Sequence, residues 1–133
     1  MGKFIAEKTI KKMIQAGKKI RDSKILMMGI AFKEDCPDIR NTWVIDIIKE
    51  FNDYGAIVDV YDPWVDPEEV EQEYQLQIVN NPFESGSKYD AIVVAVGHHQ
   101  FKNITMSDYR SISSDEMVVI DVKGVVDKPT WRL

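Results

Sequence analysis

Lys24-Ile25-Leu26-Met27-Met28-Gly29-Ile30-Ala31-Phe32 carries one charge, at its first position, and no polar side chain after it. An uninterrupted apolar run of this kind suits a strand buried on both faces, as in a parallel sheet, better than a strand with one wet face. Leu and Met also favour helix, so the run alone leaves strand and helix in competition. The rest of the chain resolves this. Ala91-Ile92-Val93-Val94-Ala95-Val96 is a second uncharged run, rich in β-branched residues. Met117-Val118-Val119-Ile120-Asp121-Val122 is a third, and Ile57-Val58-Asp59-Val60-Tyr61 is a shorter strand stopped by Asp62-Pro63.

Helical segments alternate with these strands. Trp43, Val44, Ile47, Ile48 and Phe51 have helical spacing. Thr42 is placed to cap that helix and Gly55 to end it. Pro67-Glu68-Glu69-Val70 opens a short acidic helix, with proline in its first turn. Asn81-Pro82-Phe83 starts a brief helix or turn, and residues 107–113 read as another short helix. Gln77-Ile78-Val79 reads as a short edge strand. At the start, the spacing predicts a helix over residues 3–20. Ala6, Ile10, Met13, Ile14 and Gly17 form one face, and Lys3, Lys8, Lys11, Lys12 and Lys18 lie largely elsewhere. Residues 125–133 read as a tail. Strands alternating with helices predict an α/β fold: a doubly wound, mainly parallel Rossmann-like sheet with helices on both faces, preceded by an N-terminal helix.

The chain has 133 residues, enough for one domain with its own core. Hydrophobic residues make up 44% and charged residues 29%, a globular rather than a disordered composition. The net charge of -5 argues against nucleic acid or an anionic membrane as partner. No apolar run approaches the ~20 residues that span a bilayer. The single cysteine, Cys36, rules out an intrachain disulfide and fits a reducing, cytoplasmic setting.

In an open α/β sheet, ligands bind outside the carboxyl ends of the strands. Those ends carry Phe32-Lys33, Asp62-Pro63, Gly97-His98-His99 and Lys123-Gly124. Lys33 and Lys123 follow strands directly, and the first loop runs through Arg40 into a helix N-terminus, which favours anions. Lys33, Arg40 and Lys123 therefore form either a small cationic edge or three solvated loop charges. The dinucleotide fingerprint is absent, because bulky Phe32 and Lys33 stand where a glycine-rich phosphate turn would be needed. Asp62 ends the second strand, where NAD domains keep a ribose-binding acid. Without the glycines, a turn is the plainer reading of Asp62-Pro63. Three acidic neighbours, Glu34, Asp35 and Asp38, disfavour a nucleophilic role for Cys36. His98 and His99 lack a pattern that completes a metal site, and one of them is expected to line the ligand edge instead. Trp43 and Trp131 read as packing residues, and the acidic stretch from Asp66 to Glu73 as a solvated face.

The stretch Gly29-Ile30-Ala31-Phe32-Lys33-Glu34-Asp35-Cys36-Pro37-Asp38-Ile39-Arg40-Asn41-Thr42 resembles the signature that opens the C-terminal domain of the UDP-glucose/GDP-mannose dehydrogenase family. Its Cys-Pro-Asp-x-Arg-Asn-Thr form is similar to the branch acting on UDP-N-acetylhexosamines. Tyr61-Asp62-Pro63-Trp64-Val65-Asp66, Ile120-Asp121-Val122-Lys123-Gly124 and Trp131-Arg132-Leu133 also resemble family motifs.

The resemblance implies an NAD-dependent enzyme that oxidises the C6 alcohol of a UDP-sugar to a carboxylate in two hydride transfers. NAD is expected on a separate N-terminal domain of the same protein. The catalytic cysteine, which forms a thiohemiacetal and then a thioester, is expected N-terminal to this chain, which by itself would be inactive. Residues 1–22 would end a central helix that links domains and makes a homodimer, and residues 23–133 would form the UDP-sugar-binding domain. Phe32 and Lys33 would contact the nucleotide-sugar. Lys123 would stand close to it, and Arg40 would either touch it or brace the loop through Asp38. A free-standing nucleotide-binding module without catalysis is the alternative, and a scaffold assembled through the first helix is a third reading.

Overall fold

The computed structural model describes residues 2–40 and 42–133; Met1 and Asn41, the latter within the signature stretch, lie outside the described residues. Five strands form one sheet in the order β2-β1-β3-β4-β5: β1 Lys24–Met28, β2 Ile57–Tyr61, β3 Ala91–Val94, β4 Val119–Asp121 and β5 Trp131–Arg132. Every pairing is parallel, with Ile25 opposite Val58, Leu26 opposite Ile92, Val93 opposite Ile120 and Ile120 opposite Trp131. The order reverses between β1 and β3, which makes that edge the topological switch point of a doubly wound sheet.

Strand periodicity sorts the apolar residues onto two faces. Ile25, Met27, Val93 and Ile120 join a core with α1 (Gly2–Gln15), α2 (Val44–Asp53) and Val70 of α3 (Pro67–Tyr74). Leu26, Met28, Ile92 and Val94 face the other way, onto Phe101, Tyr109 and Ile112, with Phe83 packed against them. That second face is covered by α4 (Pro82–Ser85), a 3-10 helix at His99–Asn103 and α5 (Met106–Ser111). Both faces being covered explains why the strands carry almost no polar residues.

Local chemistry sets the element ends. Asp66 accepts the Glu68 N–H ahead of α3, and Thr105 and Asp108 close a reciprocal capping box on α5. The first helix is shorter than residues 3–20, because the chain turns at Gly17 in the left-handed region, φ 77°. Its buried face is Ile5, Ala6, Thr9, Ile10 and Met13, whereas Ile14, expected on that face, is 59% exposed. Gly2 lies so close to α2 that a Cβ there would come within 2.8 Å of Asp46 Cβ.

The nine-residue apolar run is strand only to Met28, because Gly29 leaves the strand at φ 99°. Thr42 does not begin α2, yet its hydroxyl accepts the Val44 N–H at 3.2 Å from two residues before the helix, one before the N-cap Trp43. Residues 77–79 contribute one isolated parallel bridge, Val60 to Ile78, rather than a strand. The tail contains a strand that periodicity did not reveal. β5 has only two residues, too few to show alternation, and its Arg132 is anchored on Asp121.

Candidate nucleotide-binding edge

The carboxyl ends of β1, β2 and β3 are tied together by a buried Asp–His pair. Asp62, the residue after β2, is 4% exposed, and His98, after β3, is fully buried. Their side chains meet at 3.0 Å between His98 Nε2 and Asp62 Oδ2. The same oxygen accepts the Ile30 and Ala31 backbone N–H groups at 2.8 and 3.1 Å, and Asp62 Oδ1 accepts that of Trp64 at 2.8 Å. Burial opposes ionisation of Asp62. The hydrogen bonds from His98, Ile30 and Trp64 outweigh it and hold the carboxyl below its ordinary range.

His98 Nδ1 accepts the Asp35 N–H at 2.9 Å. A ring nitrogen that accepts carries no hydrogen, so His98 is the neutral tautomer with its hydrogen on Nε2, donated to Asp62. Asp35 in turn accepts the His99 backbone N–H at 2.9 Å and pairs with His99 Nδ1 at 3.0 Å. Trp64 stacks on His98 with centroids 6.1 Å apart and donates its indole N–H to Gln100.

Between these ties the chain pushes Phe32 outward, 51% exposed, with Lys33 exposed beside it. The Phe32 N–H donates to the Asp38 carbonyl at 2.6 Å, which closes the loop. Arg40 grips Asp38 with two side-chain bonds, Nε to Oδ1 at 3.0 Å and Nη2 to Oδ2 at 2.9 Å. The Arg40 side chain is otherwise 82% exposed. Of its two expected roles, the bracing contact is formed. The bidentate Arg40, its backbone N–H and, further off, the Lys33 charge lower the Asp38 carboxyl from 3.8 to about 2. A depressed folded-state value means that the pair's contribution is complete above the ordinary carboxylate range and is lost as pH falls from about 4 towards about 2. NMR titration of the Asp38 carboxyl carbon is expected to show a midpoint near the lower value in wild type and near the ordinary one in Arg40→Ala.

Lys123 is set on the same rim by a second buried acid. Asp121, fully buried at the end of β4, accepts the backbone N–H groups of Lys123, Gly124, Val125 and Val126 at 2.9–3.3 Å, and Arg132 Nε at 3.1 Å. The loop so formed lays Lys123 against Gly97, where a Cβ would be 3.5 Å from Lys123 Cβ. Lys123 Nζ sits 5.7 Å from the centre of the Trp43 ring, a cation–π contact to the residue that enters α2. Lys123 thereby touches the residue that follows the loop after β1 and enters α2.

Sequence reasoning missed the scaffold of this edge. Asp62 does form a turn contact to Trp64, but it is chiefly the buried acceptor for the loop after β1. His98 points inward, and His99 and Asp35 share the exposed side. Among the described residues, no group of three or more His, Cys, Asp or Glu side chains is arranged to hold a metal ion. Among the same residues, no helix is long and apolar enough to cross a membrane.

The turn after β1 differs in chemistry from a dinucleotide-binding turn. Its Ile30 and Ala31 amides are consumed by Asp62. Its glycine serves close packing, since a Cβ on Gly29 would lie 2.5 Å from Val96 Cβ. The Ile30 and Ala31 amides, which a dinucleotide-binding turn would leave free for a pyrophosphate, are already taken by Asp62.

Residues 26–128 match the profile of the UDP-glucose/GDP-mannose dehydrogenase family, UDP binding domain. The chain belongs to this family. It is similar to UDP-N-acetyl-D-glucosamine 6-dehydrogenase of Salmonella typhi, 47% identical over 126 residues, covering 95% of this chain and 29% of the relative. The Pseudomonas aeruginosa protein of the same name is 38% identical over 96% of this chain and 30% of its own length. The chain thus spans less than a third of these relatives and corresponds to their C-terminal UDP-binding domain.

Among solved structures, an NDP-N-acetyl-D-galactosaminuronic acid dehydrogenase from Methanosarcina mazei superposes with TM-score 0.77 at 28% identity, over 94% of this chain and 26% of that one. A UDP-D-ManNAc dehydrogenase from Pyrococcus horikoshii has the same fold, TM-score 0.81 at 21% identity, over 99% of this chain and 30% of that one.

Proposed function

We propose that this chain holds the UDP portion of a UDP-N-acetylhexosamine, or UDP-hexose, at the carboxyl edge of its sheet, as one domain of an NAD-dependent 6-dehydrogenase. Phe32 offers an exposed aromatic face to the nucleotide, Lys33 and Lys123 supply cations for the diphosphate, and Arg40 holds the Lys33 loop and faces the same solvent. The observation that carries the reading is that Phe32-Lys33 and Lys123 both follow parallel strands, β1 and β4, at the carboxyl edge of the sheet in a member of this family. NAD and the catalytic cysteine are assigned to other domains of the same protein, which is taken to work as a homodimer in the cytoplasm. The occupied amides after β1 support that assignment of NAD.

Binding energy from the UDP group, remote from the reacting carbon, is used to orient C6 over the nicotinamide and the thiol. A separate nucleotide domain can also close over the substrate and exclude water from a thioester. By itself the chain is expected to be folded and inactive, with weak affinity for UDP. Lys33→Ala is expected to weaken UDP binding by ~1–3 kcal/mol if the ammonium meets phosphate. Lys123→Ala is expected to act in the same direction. Calorimetric titration of both variants with UDP and with uridine checks this. Equal losses for uridine would place the lysines away from the diphosphate.

A further inference from the structure

The loop that presents Phe32 and Lys33 is fastened on both sides by the same two buried side chains. Before Phe32, the Ile30 and Ala31 amides donate to Asp62 Oδ2. After Lys33, the Asp35 amide donates to His98 Nδ1, and His98 Nε2 returns its hydrogen to Asp62 Oδ2. The imidazole is therefore a bridge of fixed polarity between the end of the loop and the acid that holds its beginning. Both side chains are shielded from solvent, and Trp64 and Phe101 pack on the ring at centroid distances of 6.1 and 5.3 Å. Asp35 has φ 53°, a conformation that residues other than glycine adopt reluctantly, so its place depends on these outside partners. None of this hydrogen bonding is available to a ligand, because every polar atom of the His98 ring is already used.

We propose that His98, acting through Asp62, is a positioning residue for nucleotide binding: the bridge pre-orders the Phe32–Lys33 loop so that UDP need not order it on binding. This rests on the nucleotide reading above, which places the ligand on that loop. A pre-ordered loop saves the ligand the entropy of fixing it, so loss of the bridge appears as weaker binding without loss of any ligand contact.

His98→Phe keeps a ring between Trp64 and Phe101 but removes both polar contacts. His98→Gln keeps an N–H for Asp62 at the place of Nε2, while its acceptor oxygen lies one bond further from the backbone than Nδ1 and no longer matches the Asp35 amide. UDP affinity is measured by NMR titration, together with amide hydrogen exchange of the free proteins. In H98F, exchange is expected to accelerate at Ile30, Ala31 and Asp35 while the amides of β1 and β3 keep their wild-type protection. UDP binding is expected to weaken about tenfold, the scale of ordering a short loop. H98Q is expected to fall between, with faster exchange at Asp35 alone.

General destabilisation would speed exchange across the sheet and is distinguished by that pattern. Wild-type UDP affinity in H98F with a loosened loop would overturn the proposal, as would unchanged loop protection. If H98F does not fold, H98Q carries the same comparison, and wild-type affinity with a freed Asp35 amide overturns it. A wild-type chain that binds no UDP would sink the nucleotide reading, while the exchange data still decide whether His98 holds the loop.

Discussion

Asp121→Ala is expected to destabilise the fold by about 3–5 kcal/mol, the range for leaving several buried hydrogen-bonding groups without their charged partner. One carboxylate, fully buried, receives four consecutive backbone N–H groups and Arg132. Its removal orphans the loop from Lys123 to Val126 and frees Arg132, whose guanidinium also donates to the Val126 carbonyl. β5 has only two residues, so the Arg132 anchor adds to the few bonds that flank it, Thr130 N–H to the Val119 carbonyl and Leu133 N–H to the Asp121 carbonyl. Asp121→Asn keeps an oxygen for part of the set and is expected to cost less than half as much. Urea denaturation of the three proteins measures the differences. A loss below about 1 kcal/mol in the alanine variant, the size of an ordinary surface change, would mean that the loop is held by other means.

Gly29→Ala is expected to be of similar size, about 2–5 kcal/mol, from two additive strains. The backbone sits at φ 99°, which an L side chain adopts only under strain. The new methyl would also lie 2.5 Å from Val96 Cβ and 3.0 Å from Val96 N. Shrinking the neighbour relieves only the side-chain part of the clash. The double variant Gly29→Ala, Val96→Gly, which removes the Val96 Cβ itself, is therefore expected to be more stable than the sum of the two single losses, by about 1 kcal/mol or more in a double-mutant cycle. Strict additivity would show that the two residues do not meet. Gly29 thus serves close packing of the turn after β1 against Val96.

The parallel sheet was legible because burial on both faces leaves β1, β3 and β4 apolar except for Lys24 and Asp121 at strand ends, with helical segments between them. Elements fixed by a few contacts between separate segments were not legible. β5 is held by short backbone pairing to β4 and by Arg132 on Asp121, and the end of β1 is set by Asp62 and Val96. The first helix misled because Ile14 fits the apolar spacing yet faces solvent, whereas Thr9 is buried by donating to the Ile5 carbonyl at 2.9 Å.

The rim residues Phe32, Lys33 and Lys123 were readable, since their place after strands needs only topology. Asp62 and His98 were not, because an acid after a strand and a histidine in a loop look like turn and surface residues until the fold buries them together. The one signal available was an ionisable residue immediately beside an apolar strand end, a position that favours burial. Arg40 was left between two roles by its sequence, and its bidentate grip on Asp38 is what the fold adds.

The central claim is that a UDP diphosphate docks on the rim shared by Phe32-Lys33 and Lys123. The most direct test is amide chemical-shift mapping of this chain during titration with UDP, with NAD as the comparison. The account predicts shifts confined to the loops that follow β1 and β4, around residues 32–35 and 122–125, and none at the same sites with NAD. Saturating UDP that moves neither loop, or NAD that moves both equally, would contradict it.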